Sequence, residues 1–424
     1  MQEIEKIPGA NRDISKVIQS FPGVASTPAQ RNDVIVRGGG PSENSFFLDD
    51  VEIPNINHFA TQGASGGPVG ILNVDFIREV NLYSGAFPAN RGDALSSIIE
   101  FKQKDGNSEK LEIQGSLGSS EVALTIDGPL GEKTSFIFSA RRSYLQLLFS
   151  VLELPFLPTF NDAQFKIKTR FNQKSELTLI GLAAYDVSEL NLEANETDLQ
   201  QYILNYLPVN EQWTYTLGAV YKHYREKSYG TWVLSRSYLN NYSYKYRNNI
   251  EVDSLLTFDY LSTEAENKFR YENTTRTDNG LKFNIGAGLE YAQYTNNTYR
   301  QDIVGLTRVI TDYDIMLDLW KWSLFGQISK DFYQKRLIVS LGLRSDANNY
   351  SSSMSNLLDQ ISPRISASYK ILSELSINFN TGRYYQLPAY TTLGFSNTAG
   401  DFLNKKNGLR YVSVDHVVGG FEYL

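Results

Sequence analysis

The chain has 424 residues, a formal net charge of −7 and no cysteine; disulfides, thiolate metal sites and cysteine nucleophiles are excluded, and nothing favours a nucleic-acid partner. Aromatic residues make up 13%, including 27 Tyr and 23 Phe, a bias towards β structure and towards surfaces where rings meet an interface. No run approaches the roughly 18 apolar residues of a transmembrane helix, but a β-barrel, whose spans are about 10 residues of alternating polarity, stays open.

The opening "MQEIEKIPGA" has no apolar signal core, so any secretion signal is expected to be removed or to lie upstream. "NRDISKVIQSFPGV" sets Ile14, Val17, Ile18 and Phe21 at helical spacing and stops at Pro22-Gly23. Short strands are expected over Val34–Arg37, Ser45–Val51, Phe76–Tyr83 and Ser97–Lys102. In "VIVRGGGPSENSFFLDDVEIP" three glycines follow a β-branched run. A phosphate loop would continue with Gly-Lys-Ser/Thr and open a helix. Here Pro-Ser-Glu-Asn and a strand follow, so the glycines are expected to serve a strand–turn–strand reversal. Residues 1–105 read as a small α+β domain.

From residue 106 onward the period is two. Leu281, Phe283, Ile285, Ala287, Leu289 and Tyr291 alternate with Lys282, Asn284, Gly286, Gly288 and Glu290. Leu337, Val339, Leu341 and Leu343 oppose Ser340, Gly342 and Arg344, and Leu375, Ile377 and Phe379 oppose Ser376, Asn378 and Asn380. About fourteen such strands fit between Glu109 and the end. Short turns ("NQK", "YREK", "YQK", "LSE") take turns with long stretches at Arg142–Asp162, Asp186–Gln212, Arg300–Asp318, Ser345–Gln360 and Gln386–Asp415. Long loops at one end, with apolar residues outward and polar residues inward, predict a transmembrane antiparallel β-barrel. A soluble all-β sandwich or propeller is the competing reading of the alternation.

"FPGV", "VIVRGGGPSENSFFLDDVEIP" and "IREVNLYSGAFPANRGDALSSIIEFKQKDG" together resemble the plug domain of TonB-dependent outer-membrane receptors, most closely the Bacteroidota type, and "IDGPLGEKTSFIFSARRSYL" resembles the first barrel hairpin of that family. The resemblance implies a mainly β fold, a 22-stranded barrel with a small α+β plug at its N-terminal end. It implies a receptor in the outer membrane of a Gram-negative bacterium that imports a scarce nutrient, with ligand held at the plug apices and extracellular loops. Its partners would be TonB, outer-membrane lipid and the small nutrient. The alternative role is a plugged barrel that assembles with a surface lipoprotein or secretion machinery. Only about fourteen strands are visible against 22, so residues 106–424 are expected to be an incomplete barrel; a closed fourteen-strand barrel, too narrow for the plug, is the runner-up. With no room before Ile7-Pro8 for both a TonB-pairing segment and an accessory domain, TonB is expected to pair through a segment upstream of this chain.

By the same resemblance the apices are Thr27–Arg31, Gly39–Glu43 and the loop from Asn55 to about Gly67. The candidate ligand-binding residues are Gln30, Arg31, Ser42, Glu43, Asn57, His58 and Phe59. Arg37 matches the arginine placed against barrel glutamates, and Arg91 is the substitute for a second one, because Ser84 stands near its expected place. His58 has no second donor at ligand spacing, so no metal is assigned. His58, His223 and His416 lack partners in any nucleophile or acid–base motif. No catalytic residue, no enzyme activity and no cofactor is expected.

Overall fold

The structure is a computed structural model that describes residues 13–28, 31–118, 120–305, 307–397 and 399–423. Gln30 and the stretch before Ile7-Pro8 lie outside the described residues.

Near the N-terminus, α1 (Ile14–Ile18) is capped by Asp13, whose side chain accepts from the Ser15 N–H, and it buries Ile14, Val17 and Ile18. β1 (Val24–Ala25) pairs with β2 (Ile35–Val36). β3 (Asn44–Leu48) and β4 (Val51–Ile53) form a hairpin, so the single strand expected over Ser45–Val51 is bent in two. The bend is the turn Asp49-Asp50, where both residues have positive φ, 46° and 73°. β5 (Asn57–His58) pairs with β6 (Val69–Gly70). β7 (Ile77–Tyr83) and β8 (Ser97–Gln103) complete a sheet of order β4-β3-β8-β7, in which β3 and β8 are parallel and β4 is an edge.

The glycine stretch is not a hairpin. β2 and β3 belong to different sheets, and Gly38 to Gly40 carry the chain between them. Gly38 has φ +80°, and a Cβ on Gly39 would lie 1.7 Å from Ser96 Oγ. The glycines therefore permit a left-handed residue and a close approach to the loop before β8.

The remaining chain is one antiparallel meander of fourteen strands. They are β9 (Glu112–Leu117), β10 (Glu121–Gly131), β11 (Thr134–Ser143), β12 (Phe156–Asn172), β13 (Ser175–Leu190), β14 (Val209–Tyr224), β15 (Ser228–Tyr246), β16 (Leu256–Arg276), β17 (Leu281–Val304), β18 (Thr307–Phe332), β19 (Leu337–Asn348), β20 (Ile361–Lys370), β21 (Leu375–Gln386) and β22 (Val412–Tyr423). Consecutive strands pair throughout, and β9 and β22 are the two edges of the sheet; the closed fourteen-strand barrel does not form among the described residues.

From β10 onward, turns of two to four residues at one end alternate with connections that gather at the other. Among the described residues four of the latter hold α-helices or α-helical turns, the longest being α2 (Leu145–Val151) and α3 (Asp198–Tyr206). The stretch Arg300–Asp318, expected as a loop, is instead the paired continuation of β17 and β18, closing at Val304↔Thr307. Its polar residues misled the reading because these strands, 24 and 26 residues long, run far beyond the 9–11 residues that cross a bilayer.

Ile285, Leu289, Leu341 and Leu343 stand exposed on the outer face. The inner face encloses the small N-terminal sheets. One core cluster joins Ile14, Phe46, Leu48, Val51 and Ile99 to the strand residues Ile180, Leu182, Val220 and Val233, so the inner unit completes its core against the wall around it. Among the described residues no helix is long and apolar enough to cross a membrane.

Candidate functional site

The connection between β21 and β22 arches over the inner unit. Gln386 Nε2 donates to the carbonyls of Ser42 (2.9 Å) and Asp93 (3.2 Å), and the Leu387 N–H donates to Asp93 Oδ1 at 2.7 Å. A helical turn, Tyr390–Leu393, is packed on Tyr294, Tyr350 and Met354. Beneath the arch lies a cavity of about 650 Å³. Ser42, Glu43, Gln62, Glu264, Lys321 and Tyr390 are among its lining residues. Polar groups on its wall are held in place by one another: Tyr390 Oη donates to Glu266 and accepts from Lys321 Nζ (2.7 Å), and Gln62 Nε2 donates to Glu264 (2.7 Å) and Ser262 (3.0 Å).

A second cavity of about 620 Å³, lined by Phe59, Asp186, Asn210 and Tyr260 among others, shares Ala60, Thr61, Gln62 and Thr391 with the first. The segment Ala60–Gln62 is therefore a ridge between two open chambers at the long-loop end. It is fixed to the wall at each step. The Phe59 N–H donates to Asp186, and Gln212 both accepts from the Ala60 N–H (2.9 Å) and donates to the Ala60 carbonyl (3.0 Å).

The sequence-predicted residues divide. Ser42 and Glu43 line the first cavity and Phe59 the second. Asn57 is buried, accepting from Ser15 Oγ and donating to the Ser65 carbonyl. Arg31 is half-exposed and paired with Asp33, and it lines neither chamber.

His58 is fully buried. Its Nδ1 lies 2.6 Å from Asp186 and its Nε2 3.0 Å from Asp162, while the ring stacks on Phe160 at 4.3 Å. Sequence spacing hid these partners, because they lie 128 and 104 residues away. Burial alone would depress its pKa, but the two carboxylates outweigh burial and push it up to about 9. His58 is thus an imidazolium clamped to β12 and β13. Asp162 also receives Arg141, whose Nη2 donates to the carbonyls of Gly70 and Ile71 at 2.8 Å each.

Arg37 is exposed, with φ 51°, and pairs with no carboxylate among the described residues. Arg91 is buried, but its ion pairs are with Asp50 (2.9 Å) and Glu100 (2.6 Å) inside the inner unit. The wall supplies guanidinium groups of its own. Arg364 Nη1 donates to the carbonyls of Phe87, Pro88 and Arg91, and Arg344 Nη1 to that of Ala89. These wall residues were missed, though each occupies an inward position in an alternating strand, which was the available signal. Among the described residues no group of three or more His, Cys, Asp or Glu is arranged to hold a metal ion.

Two family models match the sequence: "TonB-dependent Receptor Plug Domain" over residues 1–97 and "TonB dependent receptor-like, beta-barrel" over residues 159–413. No curated protein sequence matches the chain. Among solved structures, a mutant ferric enterobactin receptor from Pseudomonas aeruginosa, bound to enterobactin, is similar with TM-score 0.68 and 14% identity, over 93% of this chain and 63% of that one. The siderophore receptor PirA from Acinetobacter baumannii gives TM-score 0.67 and 14% identity over 92% and 61%. The outer membrane transporter YddB from Escherichia coli gives 0.65 and 14% over 92% and 60%. The chain thus spans less than two thirds of the length of these structures.

Proposed function

Since this chain belongs to the TonB-dependent receptor family, as the match of its barrel over residues 159–413 shows, we propose that it imports a scarce nutrient across the Gram-negative outer membrane, where it resides. The inner unit is the plug, and the long-loop end faces outward. The observation that carries the reading is the pair of chambers above the plug, with the Ala60–Gln62 ridge as their common wall. A ligand lodged in either chamber touches the plug and the barrel loops at once, which is what coupling of occupancy to plug movement requires. TonB supplies the force, because the outer membrane holds no energy source of its own.

Ferric siderophores are the first ligands to test, because two of the similar structures are siderophore receptors. Binding to the purified intact receptor is measured by titration calorimetry against ferric siderophores, haem, cobalamin and oligosaccharides. One class is expected to saturate, to protect the Ala60–Gln62 amides from exchange, and to lose affinity in Gln62→Ala. Absence of binding, with uptake unchanged when the gene is deleted, overturns the reading.

A second reading is assembly with a surface lipoprotein. It has in its favour the exposed apolar side chains of α2 and α3, with Val151 83% and Tyr206 71% exposed. A partner that co-purifies in stoichiometric amount regardless of ligand would establish it.

A further inference from the structure

Five successive inward-facing positions of β16 are charged: Glu264, Glu266, Lys268, Arg270 and Glu272. At about 3.4 Å per residue they form a ladder roughly 27 Å long, close to the hydrocarbon thickness of a bilayer. The plug covers most of its rungs. Gln62 meets Glu264, Glu52 meets Lys268 at 3.0 Å, the Asp50 carbonyl accepts from Arg270 Nη2 at 2.8 Å, and Asn90 Nδ2 donates to Glu272 at 2.8 Å. The flanking strands offer room beside the charges: Ser237 and Ser235 of β15 pair with Glu266 and Lys268, and Gly288 and Gly286 of β17 with Arg270 and Glu272.

Three cavities follow this seam. The outer chamber shares Glu52, Asp93, Lys321 and Leu387 with a middle cavity of about 110 Å³, which also touches Lys268 and Arg270. Beyond the turn Asp49-Asp50 lies a third, of about 160 Å³, lined by Asp50, Arg91, Lys166 and Lys222. Two buried donors on the route, Arg91 Nη1 and Arg270 Nε, have no hydrogen-bond partner among the described residues. Buried guanidinium N–H groups left open beside a polar cavity are groups that water or a passing polar solute would satisfy.

What separates the cavities is the β3–β4 turn and β4 itself, through the ion pairs Glu52–Lys268, Asp50–Arg91 and Asp50–Lys222. β4 is three residues long and an edge strand. It hangs on a turn whose two aspartates both have positive φ, a conformation non-glycine residues adopt at a cost. The rest of the plug is held to the wall at other places, at His58 on one side and at Arg344 and Arg364 on the other.

We infer that the seam along β16 is the passage by which solute leaves the outer chamber, and that β4 is its gate. The inference rests on the import reading and deepens it. Displacing β4 alone joins the three cavities into a charged, hydrated track suited to a hydrophilic, hydrogen-bonding solute.

The test uses the absence of cysteine from the chain. A Cβ on Gly218 of β14 would lie 2.4 and 2.9 Å from the two γ-methyls of Val51, so Val51→Cys with Gly218→Cys places two thiols within reach of a disulfide. The comparison pair is Ala89→Cys with Gly342→Cys, where the two Cβ positions lie 3.4 Å apart on β19, away from β16. The readout is K⁺ conductance of the intact receptor in planar bilayers as urea loosens the plug. Oxidation of the first pair is expected to abolish the conductance, with recovery on reduction, and oxidation of the second to leave it. Conductance that survives the first lock overturns the inference. Equal loss with both locks also overturns it, because the plug then leaves as one body. Should the paired variants assemble poorly, the single variant Lys268→Cys decides: urea must raise its reaction with a membrane-impermeant thiol reagent, while outward-facing Phe269→Cys stays unchanged. Neither readout needs the nutrient. A receptor that binds nothing but obeys the locks sinks the import reading alone, and import that persists through the oxidised first pair sinks the passage alone.

Discussion

His58 carries a positive charge to a place with no solvent contact, and it stays charged there because a carboxylate faces each ring nitrogen. Removing one partner from such an arrangement costs about 3–5 kcal/mol, because the other charges remain buried. In His58→Gln, Asp162 keeps Arg141 but Asp186 keeps only neutral donors, so the loss falls at the lower end, about 3 kcal/mol. The pH dependence follows from the raised pKa. The clamp's contribution is fully present below the ordinary imidazole value of 6.5 and is lost as pH rises through about 9. Thermal melts of the wild-type receptor against His58→Gln should therefore differ most near pH 6 and converge above pH 9; a difference that does not change with pH would show that the imidazole is not charged.

At the scale of elements, the ridge Ala60–Gln62 is short and irregular, and its order comes from the wall. Gln212 satisfies both backbone groups of Ala60. Gln212→Ala leaves a buried N–H and a buried C=O without partners, at about 1–3 kcal/mol for each orphaned group. Hydrogen exchange at the Ala60 amide is expected to speed up, while the β12–β14 amides keep their protection; unchanged exchange would mean the ridge orders itself. The same contrast explains which parts were readable from sequence. The strands of the wall were legible, since Leu341 and Arg344 alternate in and out by local geometry alone, and Pro22-Gly23 stopped α1 as expected. Of the described residues expected from sequence, only Ser42, Glu43 and Phe59, all on connecting segments of the plug, line the chambers. His58 looked isolated because its partners come from strands more than 100 residues away. Arg37 was expected against barrel glutamates by its resemblance to a family motif; the wall arginines that reach plug carbonyls stand on β11, β16, β19 and β20, where alternation marks them as inward but not as donors to plug carbonyls.

For the molecule as a whole, function depends on one sheet that keeps its charges inward and its apolar side chains outward. The ladder on β16 and the clamps on β11, β19 and β20 place charged groups on the plug side, and a barrel can hold them there only while the other face is uniformly apolar. Leu341 tests that division. It is 49% exposed on the outer face and pairs with Ile328 on β18 and Ile365 on β20, so three apolar side chains run across neighbouring strands. A lysine there would stand against hydrocarbon, at about 2–4 kcal/mol near the bilayer midplane. The preceding residue, Ser340, faces the plug side, where Ser329 and Ser366 are its cross-strand neighbours. A lysine at that position keeps access to the polar interior and should cost less than half as much. Urea titrations of the intact receptor in phospholipid vesicles would compare Leu341→Lys with Ser340→Lys. Equal costs would contradict the assignment of the outer face to lipid, and with it the membrane setting in which a charged track behind the plug has a purpose.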